Sequence, residues 1–385
     1  MHLLIPFANC SSGGCAASLG SLKLAQLQKL LARMTALAPD QGELSSLSAP
    51  HERALARALG LPLADGLIPW AALEARRSQA GSGAWAFVTP CHWELGSKHV
   101  VMSSLALSDF SAQASQTLLA AMQGYFAEDG IDLHYEQPAR WLAHSAVFGA
   151  LATASPDRVA GRHVANWLPT DSHGAPLLRL QSEMQMLLYN HPLNDARLAR
   201  GLPPVNSFWL SGTGALPAGY SEPATPAPTL VTSLRDAALQ EDWPAWARAW
   251  EVVDATECTR LLGLLEQGNR VQLTLCGERH AQTFQSAPAR ISDWSWRVPG
   301  FGRPSLHTVN EPDFVTASEA RQSMPGSPHA LGLRDDDGSL RAQRGNPKSW
   351  IAAARGLAMT RKSILQARLA NLFGKRSAAA VLEAL

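Results

Sequence analysis

The sequence contains no run of about 18 apolar residues, the length that a membrane-spanning helix requires. It has no internal repeat, only five cysteines among 385 residues, and no Cys-x-x-Cys or His-x-x-x-His spacing. These absences argue against a membrane-spanning protein, a solenoid and a metal site with a recognisable motif. An odd number of scattered cysteines favours a reducing compartment, so we expect a cytoplasmic protein without a membrane partner.

The opening segment MHLLIPFA is apolar but short, with no basic stretch before it and no small-residue cleavage site after it. We therefore expect the first buried strand here and not a secretory leader. The net charge of +1 gives no general reason to expect nucleic acid as a partner. Residues 286–385, however, hold 14 Lys and Arg against 8 Asp and Glu, so a nucleic-acid or acidic partner is expected only at this basic tail.

Strand and helix patterns follow one another through residues 1–285, which predicts an α/β body. Residues 10–20 are small and predict a loop, and Ser21 is the expected cap of the next helix. Strands are expected at 84–89, ending at Pro90, and at 271–275, and helices at 49–59, 69–77, 108–126 and 177–189. Composition predicts an irregular segment at 286–348 and a basic helical tail at 349–385.

The segment 190–217 gathers polar side chains beside an apolar strand. We expect a helix that stops at Pro192, then a polar turn, a strand at 208–210 and a glycine turn at 212–214. Guanidinium, amide and imidazole groups suit an anionic metabolite, although asparagines here could equally satisfy the backbone of a loop while the arginine stays a surface charge. The candidate ligand-binding residues are His191, Asn194, Arg197 and Asn206.

Two further groups of residues have side chains suited to phosphate binding or to acid–base catalysis. Arg158 and Arg162 are close enough in sequence to hold one phosphate, and the alternative is an ordinary solvated loop. Glu278 and His280 follow the strand at 271–275 and are candidates for a catalytic acid and base. The alternative for Glu278 is a structural ion pair with Arg279 or Arg290. Cys10 and Cys15 are a weak metal signal, and we expect neither a metal site nor a cofactor.

Four segments of the body resemble the Rpf-cluster E-type regulatory protein family of proteobacteria, whose members are often labelled phosphoglycerate mutase. They are WLPTDSHGAPLLRLQSEMQMLLYNHPLNDARLARGLPPVNSFWLSGTG, HWELGSKHVV, LAAMQGYFAEDGIDLHYEQPARWLA and LTLCGERHA. A more distant resemblance is to archaeal-type cofactor-independent phosphoglycerate mutases of the alkaline-phosphatase superfamily. It rests on the order of His191, Pro192, Asn194, Arg197, Asn206, Gly212 and Gly214. This resemblance implies a three-layer α/β core with a mixed sheet and an inserted smaller α+β domain at about 90–200.

The sequence also departs from those mutases. They hold two divalent metals with an Asp after the first strand, an Asp-x-x-Gly-His segment and a late Asp-His pair. Here the first strand continues into Pro6, the late helix is preceded by LQEDW, and the late strand ends in Cys276-Gly277-Glu278. We therefore expect a mutase-like pseudoenzyme without the two-metal site. It would serve as a binding or regulatory module for a phosphorylated or other anionic metabolite or for a protein partner.

An alternative stays open at this point. The chain could be an active phosphoglycerate mutase or phosphatase, and thus an isomerase or phosphotransferase, with a rearranged site. The residues of that site would be Cys276, Glu278, His280, Arg158 and Arg197.

Overall fold

The computed structural model describes residues 1–96, 99–103, 110–170, 174–287 and 377–385. Almost all of the predicted irregular segment 286–348 and most of the predicted helical tail 349–385 lie outside these residues. The described residues form eleven strands: β1 (His2–Ile5), β2 (Met34–Ala36), β3 (Ala84–Cys91), β4 (Trp93–Leu95), β5 (Val100–Met102), β6 (Asp132–Gln137), β7 (Arg140–His144), β8 (Ser207–Ala215), β9 (Thr229–Leu230), β10 (Gln272–Cys276) and β11 (Ala281–Ser286).

The same residues form twelve α-helices: α1 (Gly13–Ser21), α2 (Ala25–Arg33), α3 (Pro50–Ala58), α4 (Trp70–Arg77), α5 (Ala112–Glu128), α6 (Pro156–Val159), α7 (Ala175–Tyr189), α8 (Pro192–Ala199), α9 (Arg235–Leu239), α10 (Trp243–Val253), α11 (Thr259–Glu266) and α12 (Ala378–Glu383). A π-helical segment, Asp254–Cys258, joins α10 to α11 without a break. No helix in the described ranges is long and apolar enough to cross a membrane.

The first sheet has five strands in the order β2-β11-β10-β1-β9. Strand β1 runs parallel to both β10 and β9, whereas β11 is antiparallel to β10 and β2 is antiparallel to β11. The sheet is therefore mixed. Because β1, β9 and β10 point the same way, their carboxyl ends meet at one edge.

Helices cover both faces of this sheet. On one face Leu3 and Leu273 are fully buried in a cluster that includes Trp246 and Trp250 of α10. The two indole nitrogens donate to the carbonyl oxygens of Phe7 and Ala8, which fixes the backbone just after β1. On the other face Leu4 packs with Ala54 of α3. This arrangement confirms the predicted α/β class with a mixed sheet.

A second, antiparallel sheet has the order β6-β7-β3-β8, and all its strands lie in sequence between β2 and β9. It is therefore an insertion into the first sheet. Phe126 of α5, Met184 of α7 and Phe208 of β8 are buried together on one of its faces. Helix α7 spans 175–189, which confirms the helix predicted at 177–189.

Residues 10–20 were predicted as a loop, and this is wrong, because α1 occupies Gly13–Ser21. Ser12 caps the helix by accepting a hydrogen bond from the backbone nitrogen of Cys15, and the burial of Cys15 and Leu19 outweighs the weak helix propensity of the glycines. The small residues are required by packing. A Cβ on Gly14 would lie 2.4 Å from the ring of Trp243. Ser21 ends α1 and does not cap α2, whose N-cap is Leu24.

The strand predicted at 84–89 does not end at Pro90, and the predicted glycine turn at 212–214 is part of a strand. Strand β3 continues through Pro90, which lies opposite Phe208 of β8. Strand β8 runs on through Gly212, which has a φ of 62° that favours glycine, and the pairing with β3 shifts register between Trp85 and Phe87. Cross-strand pairing thus overrides the local turn signals.

Candidate functional site

A cleft of about 290 Å³ opens at the carboxyl ends of β1 and β10. Its walls are formed by the segment after β1, the start of α3, helix α6 with the residues that follow it, the residues between α9 and α10, and the segment after β10. This edge of a parallel strand pair is where α/β proteins bind their ligands. The cleft is therefore the candidate functional site.

Glu278 is at the centre of the polar wall. One carboxylate oxygen accepts hydrogen bonds from the backbone nitrogen of Ser11, at 2.9 Å, and from the Ser11 hydroxyl. The other oxygen pairs with the guanidinium of Arg162. Burial works to raise the pKa of Glu278, but the donors of Ser11 and the charge of Arg162 outweigh it, so that this pKa is lowered and the carboxylate is charged at neutral pH. Three donors thus converge on one anionic group.

Arg158 also lines the cleft and is only 2% exposed. Its Nη1 donates to the carbonyl oxygen of Glu278 at 2.7 Å, and its Nη2 donates to the carbonyl oxygen of Glu43 at 3.1 Å. Within the described residues its Nε is buried and has no hydrogen-bond partner. Burial, reinforced by the positive charges of Arg162 and Arg53, lowers the pKa of Arg158 to about 10. The site holds a cation whose environment disfavours its charge.

A second ion-pair network lies at the side of the cleft. His51 Nε2 is 3.2 Å from Asp157 Oδ2, and Arg235 Nε donates to Asp157 Oδ1 at 2.8 Å. Burial alone would raise the pKa of Asp157, but His51 and Arg235 outweigh it and lower this pKa to about 2. The Asp157 carboxylate thus has its own partners, His51 and Arg235.

Part of the cleft lining is apolar, and two of the lining residues have strained backbone. Phe7 and Trp243 form this apolar part, and the ring of Phe7 lies 5.6 Å from that of His51. Phe7 has a φ of 54° and Glu241 a φ of 55°, in the left-handed region that side chains other than glycine rarely adopt. Both residues line the cleft. Strained backbone of this kind, which costs about 1–3 kcal/mol per residue, concentrates at functional sites.

The structure places only one residue of the predicted acid–base pair in the cleft lining. Glu278 lines the cleft, but His280 is not among its lining residues, and the His280 Nδ1 accepts a hydrogen bond from the backbone nitrogen of Gly42 at 3.3 Å. Cys276, part of the alternative site, is fully buried. The alternative interpretation of Glu278 was an ion pair with Arg279 or Arg290, whereas its ion pair in the described residues is with Arg162. The carbonyl oxygen of Arg279 instead accepts from Arg53, and Arg290 lies outside the described residues.

The predicted polar turn at 190–197 is helix α8, and it lies between α7 and β8 of the inserted part, away from the cleft-lining residues. His191 caps this helix, since its Nδ1 accepts from the backbone nitrogen of Leu193 at 3.2 Å. Pro192 is the first helical residue, a position that suits proline because its missing N–H needs no partner there. The residue pair that was expected to stop one helix also begins the next.

The other three candidates contact the protein's own backbone. Asn194 is 4% exposed and bonds to Leu188 and Val205, Arg197 Nε donates to the Pro203 carbonyl oxygen at 2.8 Å, and Asn206 bonds to both backbone groups of Trp93. These are the contacts that the alternative interpretation of this segment expected of the asparagines. A ligand-binding role for His191, Asn194, Arg197 and Asn206 stays a prediction.

Arg158, Arg162 and Glu278 were predicted from the sequence as site residues, and the fold places all three in one cleft. Ser11, His51 and the aromatic residues of the cleft were missed. The order of a buried strand, the small residues 9–14 and a helix was the available signal for Ser11, because such segments place backbone and hydroxyl donors at a strand end. Across the ranges that the structure describes, no group of three or more His, Cys, Asp and Glu side chains is placed to hold a metal ion.

No protein-family model matches the chain, and no curated protein is significantly similar to it. The structure is similar to that of the cofactor-independent phosphoglycerate mutase from Thermoplasma acidophilum DSM 1728, with 14% sequence identity, a TM-score of 0.30, and coverage of 76% of this chain and 91% of the mutase. It is also similar to the PH0037 protein from Pyrococcus horikoshii, with 11% identity, a TM-score of 0.34, and coverage of 74% and 87%. Similarity at this level concerns the fold alone. The resemblance to the Rpf-cluster E-type family stays a prediction.

Proposed function

We propose that the cleft at the carboxyl ends of β1 and β10 binds a small anionic metabolite and that the protein is a cytoplasmic binding or regulatory module. The observation that carries this proposal is Arg158. Its guanidinium is almost fully buried, bonds to backbone carbonyl oxygens and has an Nε that is unpaired among the residues that the structure describes. Among the described residues Arg158 forms no ion pair with a carboxylate, and the charges of Glu278 and Glu52 offset only part of the cost of its burial. An anion in the cleft would lower that cost further.

The contacts of Glu278 support the same proposal. Its carboxylate occupies the place where the Ser11 nitrogen, the Ser11 hydroxyl and the Arg162 guanidinium converge. A phosphate or carboxylate group of a ligand would use the same donors, since guanidinium and backbone N–H groups bind either anion. Binding would then displace the Glu278 side chain, and Arg162 would exchange one anionic partner for another.

The ligand is expected to combine an anionic head with a small apolar or hydroxylated body. The head would face Arg158 and Arg162, and the body would lie against Phe7 and Trp243. A cleft of about 290 Å³ is at the small end of ligand sites, which suits a phosphorylated three-carbon acid. Such acids are also what the sequence resemblance implies.

The experiment is a binding titration of the full chain with 3-phosphoglycerate, with inorganic phosphate and glycerol as separate probes. Calorimetry and the melting temperature are the readouts. The proposal expects saturable binding of 3-phosphoglycerate at one site per chain, weaker binding of inorganic phosphate, and no binding of glycerol. Absence of saturable binding by either anion would contradict it.

Replacing Glu278 by glutamine is expected to strengthen the binding of 3-phosphoglycerate about 10-fold, which corresponds to about 1.4 kcal/mol. The neutral amide releases Arg162 more easily than the carboxylate does and no longer repels the incoming anion. Calorimetry on both proteins measures the change. Glu241→Gln is the matched control, because it removes the same charge from a cleft-lining residue that does not pair with Arg162. Equal gains in both variants, or weaker binding in Glu278→Gln, would rule out displacement of Glu278.

A second candidate function is an active phosphoglycerate mutase or phosphatase with a rearranged site. One observation favours it, namely the hydrogen bond between the Ser11 hydroxyl and the Glu278 carboxylate in the cleft, which pairs a nucleophile with a base. The lowered pKa of Glu278 makes that base weak.

The second candidate expects slow hydrolysis of a phosphate monoester such as para-nitrophenyl phosphate, or slow interconversion of phosphoglycerates. Ser11→Ala should then lower the rate at least about 100-fold, as removal of a nucleophile or its base does. Ser12→Ala is the control, because Ser12 caps α1 and does not contact Glu278. A rate that survives Ser11→Ala would exclude this serine as the nucleophile.

A further inference from the structure

Residues 377–385 form a short segment that is docked on the body next to the cleft. The segment contains α12, whose N-cap Ser377 accepts a hydrogen bond from the backbone nitrogen of Ala380. The backbone nitrogen of Ala378 donates to the side chain of Gln28 in α2 at 2.5 Å, and α12 contacts both α1 and α2. Four apolar side chains of the segment are buried in the same cluster as those of α1 and α2, namely Ala378, Val381, Leu382 and Leu385. The segment therefore fills a groove whose walls include these two helices.

The third wall of this groove is the turn between β10 and β11, residues 277–280, which also forms part of the cleft. The carbonyl oxygen of Leu385 accepts a hydrogen bond from the backbone nitrogen of His280 at 3.2 Å. Gly277 packs so closely on Leu385 that a Cβ at this glycine would lie 2.6 Å from the Leu385 Cβ and 2.7 Å from its carbonyl oxygen. Gly277 and Glu278 both line the cleft. One short turn thus contacts the docked segment and also carries the carboxylate of the cleft.

The docked segment can leave its groove without disrupting the body. Helix α12 has six residues, too few for a helix that is stable alone, so it forms because it is docked. It belongs to none of the sheets in the described part of the chain, and its covalent connection to β11 runs through residues 288–376. The turn 277–280 keeps other contacts, since Arg53 donates to the carbonyl oxygen of Arg279 at 2.9 Å. An element with so few buried side chains opens at a lower free energy than the rest of a domain.

We propose that residues 377–385 exchange between a docked and a released state and that an anion bound in the cleft favours release. This inference rests on the proposed function, because it makes release the response of the module to its metabolite. Docking holds the turn that carries Glu278, whose carboxylate occupies the donors of Ser11 and Arg162. The anion needs these donors and binds best when Glu278 is displaced, and this displacement shifts the turn on which Leu385 packs. Anion binding and release therefore favour each other by the same factor.

Hydrogen–deuterium exchange of the full chain, measured by mass on peptic fragments, reports docking. The backbone nitrogen of Val381 donates to the carbonyl oxygen of Ser377, and that of His280 donates to Leu385. Both hydrogen bonds are lost on release, so fragments from the two ends of this contact should exchange faster together. Saturating 3-phosphoglycerate is expected to speed this exchange about 5-fold in the wild-type chain.

Leu382→Asp tests the coupling from the side of the segment. Leu382 is fully buried, so a carboxylate there should speed exchange of both fragments at least about 10-fold and strengthen the binding of 3-phosphoglycerate about 5-fold. Ala380→Asp is the matched control, because it adds the same charge at an exposed position of α12 and should change neither quantity. Unchanged exchange in Leu382→Asp, or faster exchange without tighter binding of an anion that the wild-type chain does bind, would overturn the proposal.

Glu278→Gln tests the same coupling without any ligand. The amide weakens the contacts with Ser11 and Arg162, so exchange of the docked segment is expected to be about 5-fold faster. Unchanged exchange would overturn the coupling whether or not an anion binds. Faster exchange in a chain that does not bind 3-phosphoglycerate would support the coupling and contradict the proposed function alone.

Gly277→Ala replaces Leu382→Asp should that variant fail to fold. Its methyl group meets the backbone of Leu385, so the segment is displaced while its own sequence stays unchanged. The expected result is again faster exchange of residues 377–385. Exchange at the wild-type rate would show that the packing of Leu385 on Gly277 does not hold the segment, and the proposal would be overturned.

Discussion

Replacing Arg158 by methionine is expected to weaken the binding of 3-phosphoglycerate at least about 30-fold, which corresponds to about 2 kcal/mol. Methionine is close to arginine in length and fills the same buried space, so the change removes the charge and the donors more than the packing. The guanidinium is the group that the proposed anion would neutralise. Calorimetric titration of the variant and of the wild-type chain measures the difference.

Arg140→Met is the matched control for this substitution. Arg140 belongs to the second sheet, pairs with Glu136 and lies over the ring of Phe87, so its replacement removes the same charge and the same side chain at a position outside the cleft lining. Binding should be unchanged in this control. If Arg158→Met bound 3-phosphoglycerate as tightly as the wild-type chain, the buried guanidinium would be a structural group only, and the observation that carries the proposed function would be lost.

Replacing Asn194 by alanine is expected to lower the free energy of unfolding by about 3 kcal/mol. The Asn194 amide donates to the carbonyl oxygens of Leu188 and Val205, and its oxygen accepts from the backbone nitrogen of Val205, each at 2.8 Å. The side chain therefore ties the end of α7 to the segment that enters β8. Alanine would leave two carbonyl groups and one N–H group buried without these partners. Urea denaturation measures the loss.

Asn206→Ala provides the comparison. Asn206 also bonds to backbone, to both groups of Trp93, but it is only half-buried, so water can replace its contacts and a loss of about 1 kcal/mol is expected. Both residues were predicted as ligand-binding groups. If Asn194→Ala left stability unchanged and instead weakened the binding of 3-phosphoglycerate, the ligand interpretation of this segment would be supported and the structural one refuted.

The segment 190–197 shows what local sequence resolves. A proline after a helical pattern correctly marked the end of α7, but the same proline is also the best first residue for a following helix, and the pattern could not distinguish the two. Asn194 illustrates a second limit. An asparagine side chain can form the same hydrogen bonds with a ligand as with backbone groups. Only the packing of α7, α8 and β8 around Asn194 determines that its partners are backbone groups.

Glu278 shows which features of the cleft can be predicted from the position of a residue in the sequence. Glu278 was expected at a strand end because the alternating pattern of β10 stops just before it, and the structure places it there. The alternative interpretation placed its ion-pair partner nearby in sequence, yet Arg162 is 116 residues away and belongs to the segment that contains the inserted sheet. Long-range pairing of this kind depends on how the insertion folds back, which residue spacing does not encode.

The inserted position of the second sheet has a consequence for how the cleft is assembled. Ser11 and Glu278 come from the first sheet's own connections, whereas Arg158 and Arg162 come from the chain between β2 and β9. The carboxylate of the site and its two arginines are thus supplied by different parts of the chain. Neither part alone would carry a complete binding site, and excising or transplanting the insertion would separate Arg162 from the Glu278 carboxylate and Arg158 from the Glu278 carbonyl oxygen.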